Sequence, residues 1–240
     1  MSLTIVIPTY NEKDSLAESI KKTQDFTPTN TIILIVDDNS PDGTGEIAAR
    51  LAKNNNNIRV LHRPLRNGLG RAYMDGFRYA IENTDSQYIM TMDADMSHDP
   101  SFIPEFLLNI QSCDVVNGSR YYNGRISIVN WPMTRLLLSY AAGIYIRFFT
   151  KIRLSDPTSG FRCFNRSTME KILRQGIISN GYAFSIEINY LCHKWGLKIR
   201  EIPIVFHDRN KGASKMHKIG TMFEAMAIVW RMKFIRLISQ

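Results

Sequence analysis

Tyr88-Ile89-Met90-Thr91-Met92-Asp93-Ala94-Asp95 is the stretch of sequence that decides the fold. Its first five residues are aromatic, apolar or β-branched, which is typical of a buried strand. Side chains two residues apart on a strand point the same way, so we expect Asp93 and Asp95 to project together from the strand's carboxyl end. Ligands bind at that end in open α/β sheets. Two adjacent carboxylates suit Mg²⁺ or Mn²⁺, although an acidic surface turn has the same pattern.

The segments on either side of this stretch alternate between strand patterns and helix patterns. Such alternation indicates a parallel sheet with crossover helices, and hence an α/β fold. The predicted strands cover residues 3–7, 31–36, 58–61, 88–92 and 115–118. The predicted helices between them cover residues 13–24, 44–53 and 71–82, and Pro100 and Pro104 flank the start of another.

The second half of the chain carries more helix patterns than strand patterns. Helices are predicted over residues 131–149, 169–175 and 183–195, and residues 198–206 alternate like an edge strand. From residue 219 onward, apolar side chains recur at helical spacing and basic residues crowd the last turns, which predicts an amphipathic C-terminal helix. This helix could pack on the sheet, or its apolar face and basic end could lie on a membrane surface.

The formal net charge of +8 over 240 residues points to an anionic partner. Nucleic acid, a phosphorylated small molecule and an acidic membrane surface are the candidates. We expect no nucleic-acid partner, because no recognition motif accompanies the charge. The apolar stretches fall short of the roughly 18–20 residues that a membrane-spanning helix needs. Three widely spaced cysteines and an N-terminus without a secretory signal favour a reducing, cytoplasmic compartment.

Several motifs together resemble those of the family 2 inverting glycosyltransferases of the GT-A fold. In chain order they occupy residues 5–12, 36–44, 67–72 and 92–95. Within that family the chain most resembles the polyprenyl-phosphate (dolichyl-phosphate) mannosyltransferases. That narrower resemblance rests on residues 118–121, 130–135, 156–162, 181–184 and 209–215. The resemblance implies a GT-A-type, Rossmann-like, mostly parallel sheet flanked by helices, with amphipathic C-terminal helices.

The resemblance also implies an activity for the chain. It implies one catalytic domain over residues 1–240, with a nucleotide-sugar-binding half to about residue 120 and an acceptor-binding half beyond it. Such an enzyme transfers mannose from GDP-mannose to a polyprenyl phosphate, with a metal ion and with inversion to a β-linkage. The same acceptor with UDP-glucose or another nucleotide sugar remains an alternative. A non-catalytic nucleotide-sugar or lipid-phosphate binding protein is an alternative of another class.

The donor pocket takes its predicted residues from the ends of the first two strands. By resemblance, Pro8, Tyr10 and Glu12 would line the nucleotide pocket, and Val36 and Asp38 would meet the base or ribose. A carboxylate at a strand end can accept hydrogen bonds from ribose hydroxyls or from a guanine edge. The short pattern Gly68-Leu69-Gly70 could let the backbone approach the nucleotide, or it could form a simple tight turn.

The metal site is expected next to the donor diphosphate. Asp93 and Asp95 would hold Mg²⁺ or Mn²⁺, with Ala94 and Ser97 beside the nucleotide sugar. Ser97 stands where some relatives carry a glutamine ligand, which leaves a third protein ligand open. His98 is expected to be a bystander, because a hard metal prefers oxygen ligands. The cation would neutralise charge on GDP as the sugar leaves.

Basic residues downstream are assigned to the phosphates. The residues that would bind the acceptor phosphate are Arg120, Arg135, Ser139 and Lys211. Arg209 and Lys215 would contact the nucleotide sugar, and Arg120 would contact both the nucleotide sugar and the acceptor phosphate. The residues assigned to catalysis are Asp93, Asp95, Arg120 and Arg135. A polyprenyl phosphate is already anionic near neutral pH, so we expect no general base.

The remaining expectations concern a mobile loop and the membrane. Residues 207–217, rich in small and basic residues, would form a closing loop, and Glu187 would orient the sugar or an arginine. The lipid acceptor places the protein at the cytoplasmic face of a membrane as a peripheral protein. An integral-membrane partner could assist that contact.

Overall fold

Seven strands form the sheet at the centre of the protein. The computed structural model describes residues 1–208 and 226–232. The strands of this sheet are β1 (Leu3–Thr9), β2 (Ile32–Asp37), β3 (Ile58–His62), β4 (Tyr88–Thr91), β5 (Val115–Ser119), β7 (Arg162–Asn165) and β8 (Ile199–Pro203). Their order is β3-β2-β1-β4-β7-β5-β8, and β7 alone runs antiparallel to its neighbours β4 and β5. Two short strands, β6 (Ile128–Val129) and β9 (Phe206–His207), pair in a second sheet.

Helices cover both faces of the large sheet. They are α1 (Leu16–Asp25), α2 (Thr44–Asn54), α3 (Leu69–Asn83), α4 (Ile103–Ile110), α5 (Met133–Thr150), α6 (Arg166–Gln175) and α7 (Phe184–Lys194). One core cluster packs α1, α2 and α4 against the strands, and a second packs α3, α6 and α7 against them. Because helices bury both faces of the sheet, the sequences of the parallel strands are continuous apolar runs. The predicted α/β fold with a mostly parallel sheet is confirmed.

The structure adds one strand that the sequence did not predict, and it corrects the bounds of another. Strand β7 was not predicted, because its four residues begin with a charge and end with an amide, in Arg162-Cys163-Phe164-Asn165. The predicted edge strand over residues 198–206 is divided into β8, which does form the sheet edge, and β9. Strand β8 ends at Pro203, which has no backbone N–H to continue a ladder.

The two glycines at the start of α3 allow close packing of the backbone. A Cβ atom on Gly68 would lie 2.5 Å from the carbonyl oxygen of Asn180, and a Cβ atom on Gly70 would lie 2.5 Å from that of Ser179. The backbone N–H of Gly70 donates to the Asn180 carbonyl over 2.8 Å. Gly68 also has a φ of +94°, which favours glycine. The pattern therefore lets the backbone approach residues 179–180.

Replacement of Gly70 by alanine is expected to destabilise the protein by about 1–3 kcal/mol, because the new methyl group meets backbone that cannot rotate away. Gly143 offers a matched control in the interior of α5, where a Cβ atom would meet nothing closer than 3.7 Å. There alanine should raise stability by about 0.5–1 kcal/mol. Urea unfolding of both variants measures the two changes, and equal effects at the two positions would contradict the packing role of Gly70.

Candidate active site

The carboxyl ends of β1, β2 and β4 lie side by side where the strand order reverses. The chain leaves β1 for β2 on one side and returns through β4 on the other side. Open α/β sheets bind ligands at such a switch point. The residues that follow these three strands include Tyr10, Asp38 and Asp93. The fold therefore brings together the segments that the sequence assigned to a donor nucleotide.

Strand alternation does not set the geometry of the acidic pair. Strand β4 ends at Thr91, so Asp93 and Asp95 lie in the bend that follows it. The prediction that both carboxylates project from one face of a strand is therefore wrong. A turn replaces the strand here, and Met96 adopts a φ of +65° within it. Asp93 has a side chain exposed by 38%, whereas Asp95 is buried.

Tyr73 and His98 hold Asp93 from two directions. The Tyr73 hydroxyl donates to Oδ1 of Asp93 over 3.3 Å, and the Asp93 backbone N–H donates to Nδ1 of His98 over 3.0 Å. Burial lowers the pKa of His98 despite the nearby carboxylates, so the ring is neutral at pH 7. The ring also stacks on Phe161 with centroids 4.9 Å apart. His98 thus fixes the backbone of the loop that contains Asp93 and Asp95, which we call the acidic loop.

Arg162 is a buried cation that received no role from the sequence. Its guanidinium group donates to the backbone oxygen and to Oγ of Ser185, each over 3.2 Å. Its Nε has no hydrogen-bond partner within the part of the chain that the structure describes. Burial lowers the pKa of Arg162 to about 10, while Tyr73 and Asp93 favour its charged form. The one available signal was a charged residue between Phe161 and Cys163.

The oxygen atoms around Asp95 suit a hard cation. Oδ1 of Asp95 accepts a hydrogen bond from the Ser97 backbone N–H over 3.1 Å. Oγ of Ser97 is buried without a hydrogen-bond partner among residues 1–208 and 226–232. These described residues contain no group of three or more histidine, cysteine or acidic side chains placed to hold a metal. The two carboxylates and the hydroxyl are hard oxygen donors, the type that Mg²⁺ and Mn²⁺ bind together with phosphate and water.

At the end of β1, Arg66 lies next to Tyr10, although the sequence assigned no role to this arginine. The guanidinium carbon of Arg66 lies 3.9 Å from the centroid of the Tyr10 ring. The Glu12 backbone N–H donates to Oγ1 of Thr44 over 2.9 Å, and its carboxylate accepts from Oγ of Ser15 over 2.9 Å. Pro8 is the penultimate residue of β1. The contact of these residues with a nucleotide stays a prediction.

The two residues predicted from β2 are both buried. Val36 has its whole side chain in the second core cluster, so only its backbone could face a ligand. The Asp38 carboxylate pairs with Arg63, and Nε of Arg63 also donates to Asp75 over 2.9 Å. Both Arg63 and Asp38 have side chains exposed by 7%. Whether Asp38 meets the base or ribose stays a prediction, as does a contact from Ala94.

Arg120 lies in a buried ion pair. Its Nε and Nη2 donate to Oδ2 and Oδ1 of Asp156 over 2.6 and 2.8 Å. Nη2 also donates to Oγ1 of Thr158 over 2.7 Å. Burial raises the pKa of Asp156, but the charge and hydrogen bonds of Arg120 outweigh it and hold that pKa below 3.8. The sequence did not pair these two residues, and phosphate binding by Arg120 stays a prediction.

The charge of Asp156 gives this pair a defined pH dependence. Because the folded state holds its pKa below the ordinary 3.8, the pair stabilises fully above that pH and loses its effect as the pH falls through the folded value. The wild type should exceed Asp156→Asn in free energy of unfolding by a constant amount from about pH 7 to about pH 5, and by less below pH 3.8. Urea unfolding across this range measures the difference. A difference still constant at about pH 3 would contradict the pairing.

Aromatic rings connect Arg120 with the other predicted acceptor residues. The guanidinium carbons of Arg120 and Arg135 lie 5.7 and 4.0 Å from the Trp131 ring centroid. Nη1 of Arg135 donates to Oδ1 of Asp208 over 2.8 Å. Oγ of Ser139 lies 2.9 Å from the Tyr121 hydroxyl. The structure therefore gathers Arg120, Arg135 and Ser139 around two aromatic side chains.

The remaining predicted residues have different positions. Arg209, Lys211 and Lys215 lie outside the described residues, as does most of the predicted closing loop. Only residues 226–232 of the predicted C-terminal helix are described, and they are helical. Glu187 is buried, and its carboxylate accepts hydrogen bonds from Ile178 and Ser179. It therefore holds the loop that contacts Gly70, and a role toward the sugar stays a prediction.

Comparison with known proteins assigns the chain to a family. Residues 4–173 match the family described as Glycosyl transferase family 2. The chain belongs to glycosyltransferase family 2. It is 38% identical over 231 residues to the undecaprenyl-phosphate mannosyltransferase of Micrococcus luteus, across 96% of this chain and 93% of that protein. It is 38% identical over 214 residues to the polyprenol monophosphomannose synthase of Mycolicibacterium smegmatis, across 88% and 80%.

Solved structures share the fold at lower sequence identity. Glucosyl-3-phosphoglycerate synthase from Mycobacterium tuberculosis, in complex with Mn²⁺, UDP and glucosyl-3-phosphoglycerate, has a TM-score of 0.68 and 18% identity. The match covers 97% of this chain and 79% of that chain. The same enzyme with Mg²⁺ and UDP has a TM-score of 0.65. The predicted family, GT-A-like fold and likeness to polyprenyl-phosphate mannosyltransferases are confirmed.

Proposed function

We propose that this chain transfers mannose from GDP-mannose to a polyprenyl phosphate. The observation that carries the proposal is the pairing of an acidic loop with a basic and aromatic cluster across one site. His98 touches Asp93, and its ring lies 5.8 Å from the ring of Phe206. The Phe206 ring in turn lies 5.4 Å from the Arg120 guanidinium carbon. The names and coverage of the two curated relatives support both the sugar and the lipid phosphate.

On the donor side, the acidic loop would bind the diphosphate through a divalent cation. Asp93 and Asp95 would hold Mg²⁺ or Mn²⁺, with Oγ of Ser97 as a further oxygen beside them. When bound, the cation supplies positive charge that stabilises the departing GDP. Tyr73 and His98 keep Asp93 in place, so this loop needs little rearrangement as the donor binds. Tyr10, Glu12 and Asp38 would surround the nucleoside, and Arg66 adds a positive charge next to Tyr10.

On the acceptor side, the enzyme needs to position a nucleophile that is already charged. The second pKa of a phosphate monoester is about 6, so a polyprenyl phosphate carries nearly two negative charges at neutral pH. Its oxygen would form a bond to C1 of mannose as the bond from C1 to the GDP oxygen breaks, with inversion. Arg120, Arg135 and Ser139 would orient that phosphate and reduce its repulsion from the donor. No proton has to be removed from the acceptor.

The location of the protein follows from the acceptor. Among the described residues, no helix has both the length and the hydropathy that crossing a bilayer requires. A polyprenyl chain stays in the bilayer, so the enzyme would work as a peripheral protein at the cytoplasmic face, where an integral-membrane partner could assist. Residues to about 120 would bind the donor, and the later residues would bind the acceptor. Lys211 would join the acceptor phosphate, and Arg209 and Lys215 the nucleotide sugar.

A donor panel tests this proposal. The purified protein would receive polyprenyl phosphate, Mg²⁺ or Mn²⁺, and one radiolabelled donor from GDP-mannose, UDP-glucose, GDP-glucose and UDP-galactose. We expect a mannolipid from GDP-mannose and at least tenfold less product from the other donors. Faster transfer from UDP-glucose would favour the alternative sugar. Binding of GDP-mannose without any transfer would favour a non-catalytic binding protein.

A further inference from the structure

Helix α5 exposes a continuous apolar stripe. Met133, Leu137, Tyr140, Ile144 and Phe148 are three or four residues apart, so they share one face of the helix. These five residues have exposures of 66%, 60%, 43%, 48% and 66%. Single exposed apolar residues are common on soluble proteins, but a contiguous row marks an interaction surface. Over its 18 residues the helix is about 27 Å long, and the stripe runs from its first residue to within two residues of its last.

The opposite face of α5 packs against the rest of the protein and contributes residues to the candidate acceptor site. Gly143, Ile146 and Thr150 are buried on it. Arg135 and Ser139 continue the same face toward the start of the helix, where they contact Asp208 and Tyr121. Arg135 and Leu137 are two residues apart, which is about 200° around a helix. The helix therefore separates the exposed stripe from the residues proposed to hold the acceptor phosphate.

Two basic clefts adjoin the C-terminal half of the stripe. Their volumes are about 400 and about 710 Å³, and they share Arg147, Arg153 and Leu154. Arg125 lines the first cleft and Lys151 the second, and no acidic side chain is among the lining residues that the structure describes. Nη1 of Arg147 donates to the Ser155 carbonyl over 2.7 Å, which fixes it at the shared wall. Four cations thus line the two clefts.

Three of these four cations, Arg125, Lys151 and Arg153, are exposed at the surface. The ammonium nitrogen of Lys151 lies 5.1 Å from the ring centroid of Phe148, the last residue of the stripe. Glu201 lies behind the first cleft, where its carboxylate accepts hydrogen bonds from the backbone N–H groups of Ser155 and Asp156. Arg125 and Arg153 are both exposed. An apolar helix face bordered by cations is the pattern of a helix lying in a membrane interface.

We propose that the α5 stripe and the two basic clefts form one docking surface for an anionic phospholipid membrane. The apolar side chains enter the boundary between headgroups and acyl chains, and the arginines bind lipid phosphates. Charge complementarity favours this occupant, because an anionic leaflet attracts each nearby cation. The inference rests on the proposed function and deepens it, because docking through the outer face of α5 would hold Arg135 and Ser139, on the other face of the same helix, one helix diameter (~10 Å) from the membrane interface.

Sedimentation with lipid vesicles tests the docking surface. Vesicles of phosphatidylcholine alone and with phosphatidylglycerol would be mixed with the wild type, with Arg125→Glu/Arg153→Glu, and with Arg50→Glu/Lys53→Glu on α2 as a control of equal net charge. Leu137→Ser would be compared with Leu108→Ser, whose leucine is 70% exposed on α4. Arg125→Glu/Arg153→Glu and Leu137→Ser are the two α5-surface variants. We expect both to bind anionic vesicles at least about tenfold more weakly than the wild type, and we expect the two control variants to bind as the wild type does.

Other results would overturn the proposal. It fails if the wild type does not bind anionic vesicles, or if the α5-surface variants and their controls bind equally. A wild type that forms dimers, with Leu137→Ser monomeric and no binding to vesicles, would assign the stripe to a second copy of the chain. Binding of inorganic phosphate without vesicle binding would assign the clefts to a soluble anion.

Transfer to a short-chain, water-soluble polyprenyl phosphate separates this inference from the proposed function. The α5-surface variants should keep the wild-type rate on that acceptor in solution, because none of their substitutions alters a residue of the proposed site. They should lose transfer to long-chain acceptor in anionic vesicles. If the wild type shows no transfer to either acceptor, the proposed function fails, and vesicle binding still decides the docking surface.

Discussion

Replacement of Asp93 by asparagine is expected to lower the rate of mannose transfer by about 10²- to 10³-fold, the usual cost of losing one electrostatic contact to the transition state. Asparagine keeps an oxygen that can accept the hydrogen bond from Tyr73, and the backbone bond to His98 is unaffected. The substitution therefore removes a charge from the acidic loop with little change to its packing. The initial rate of radiolabel transfer, followed over a series of Mn²⁺ concentrations, measures the loss.

Asp85→Asn is the matched control for this substitution. Asp85 is exposed just before β4, at the opposite end of that strand from Asp93. The Asp85→Asn variant should therefore transfer mannose at the wild-type rate and show the wild-type dependence on Mn²⁺. Equal rates for Asp93→Asn and wild type at low and high Mn²⁺ would exclude Asp93 as a metal ligand.

Replacement of Asp156 by alanine is expected to destabilise the protein by about 3–5 kcal/mol. The change leaves the Arg120 guanidinium buried without its carboxylate, since Arg120 is 8% exposed and Asp156 is fully buried. For a chain of this size such a loss lowers the melting temperature by about 6–20 °C. Urea unfolding measures the free energy, and a loss below about 1 kcal/mol would contradict the importance of the pair.

Two further variants separate stability from catalysis. Glu18→Ala breaks an exposed helical ion pair with Lys22 and should change stability by no more than about 0.5 kcal/mol. The double variant Arg120→Met/Asp156→Leu removes both charges at once, so it should recover much of the stability that Asp156→Ala loses. If Arg120 also binds a phosphate, the double variant should remain far less active than wild type although it is folded. Recovery of activity together with stability would limit Arg120 to a structural role.

The sequence predicted most of the sheet because its parallel strands are buried on both faces. Strands β1, β2 and β4 are continuous apolar runs, and each ends in polar residues that the switch point brings together. The order of the strands required the structure. Strand β7 was missed because it has only four residues and begins with Arg162, whose charge conceals the apolar pattern.

The sequence predicted which residues belong to the candidate site better than it predicted which of them contact each other. Resemblance to a family identified Arg120 and the acidic pair, but a periodic pattern cannot pair Arg120 with Asp156 across 36 residues. Strand alternation misplaced the acidic pair, because a turn with a left-handed residue replaces the strand after Thr91. The exposed stripe of α5 depends on which helix face meets the protein, and its apolar composition alone did not reveal that face.

The most direct test of the account compares two acceptors that differ only in a phosphate group. Purified protein would be incubated with GDP-[¹⁴C]mannose and Mg²⁺, and with either a polyprenyl phosphate or the polyprenol of the same chain length. Because the site offers cations to a charged nucleophile and needs no base, we expect mannolipid from the phosphate and none from the alcohol. Mannose transferred to the polyprenol, or no transfer to the phosphate, would contradict it.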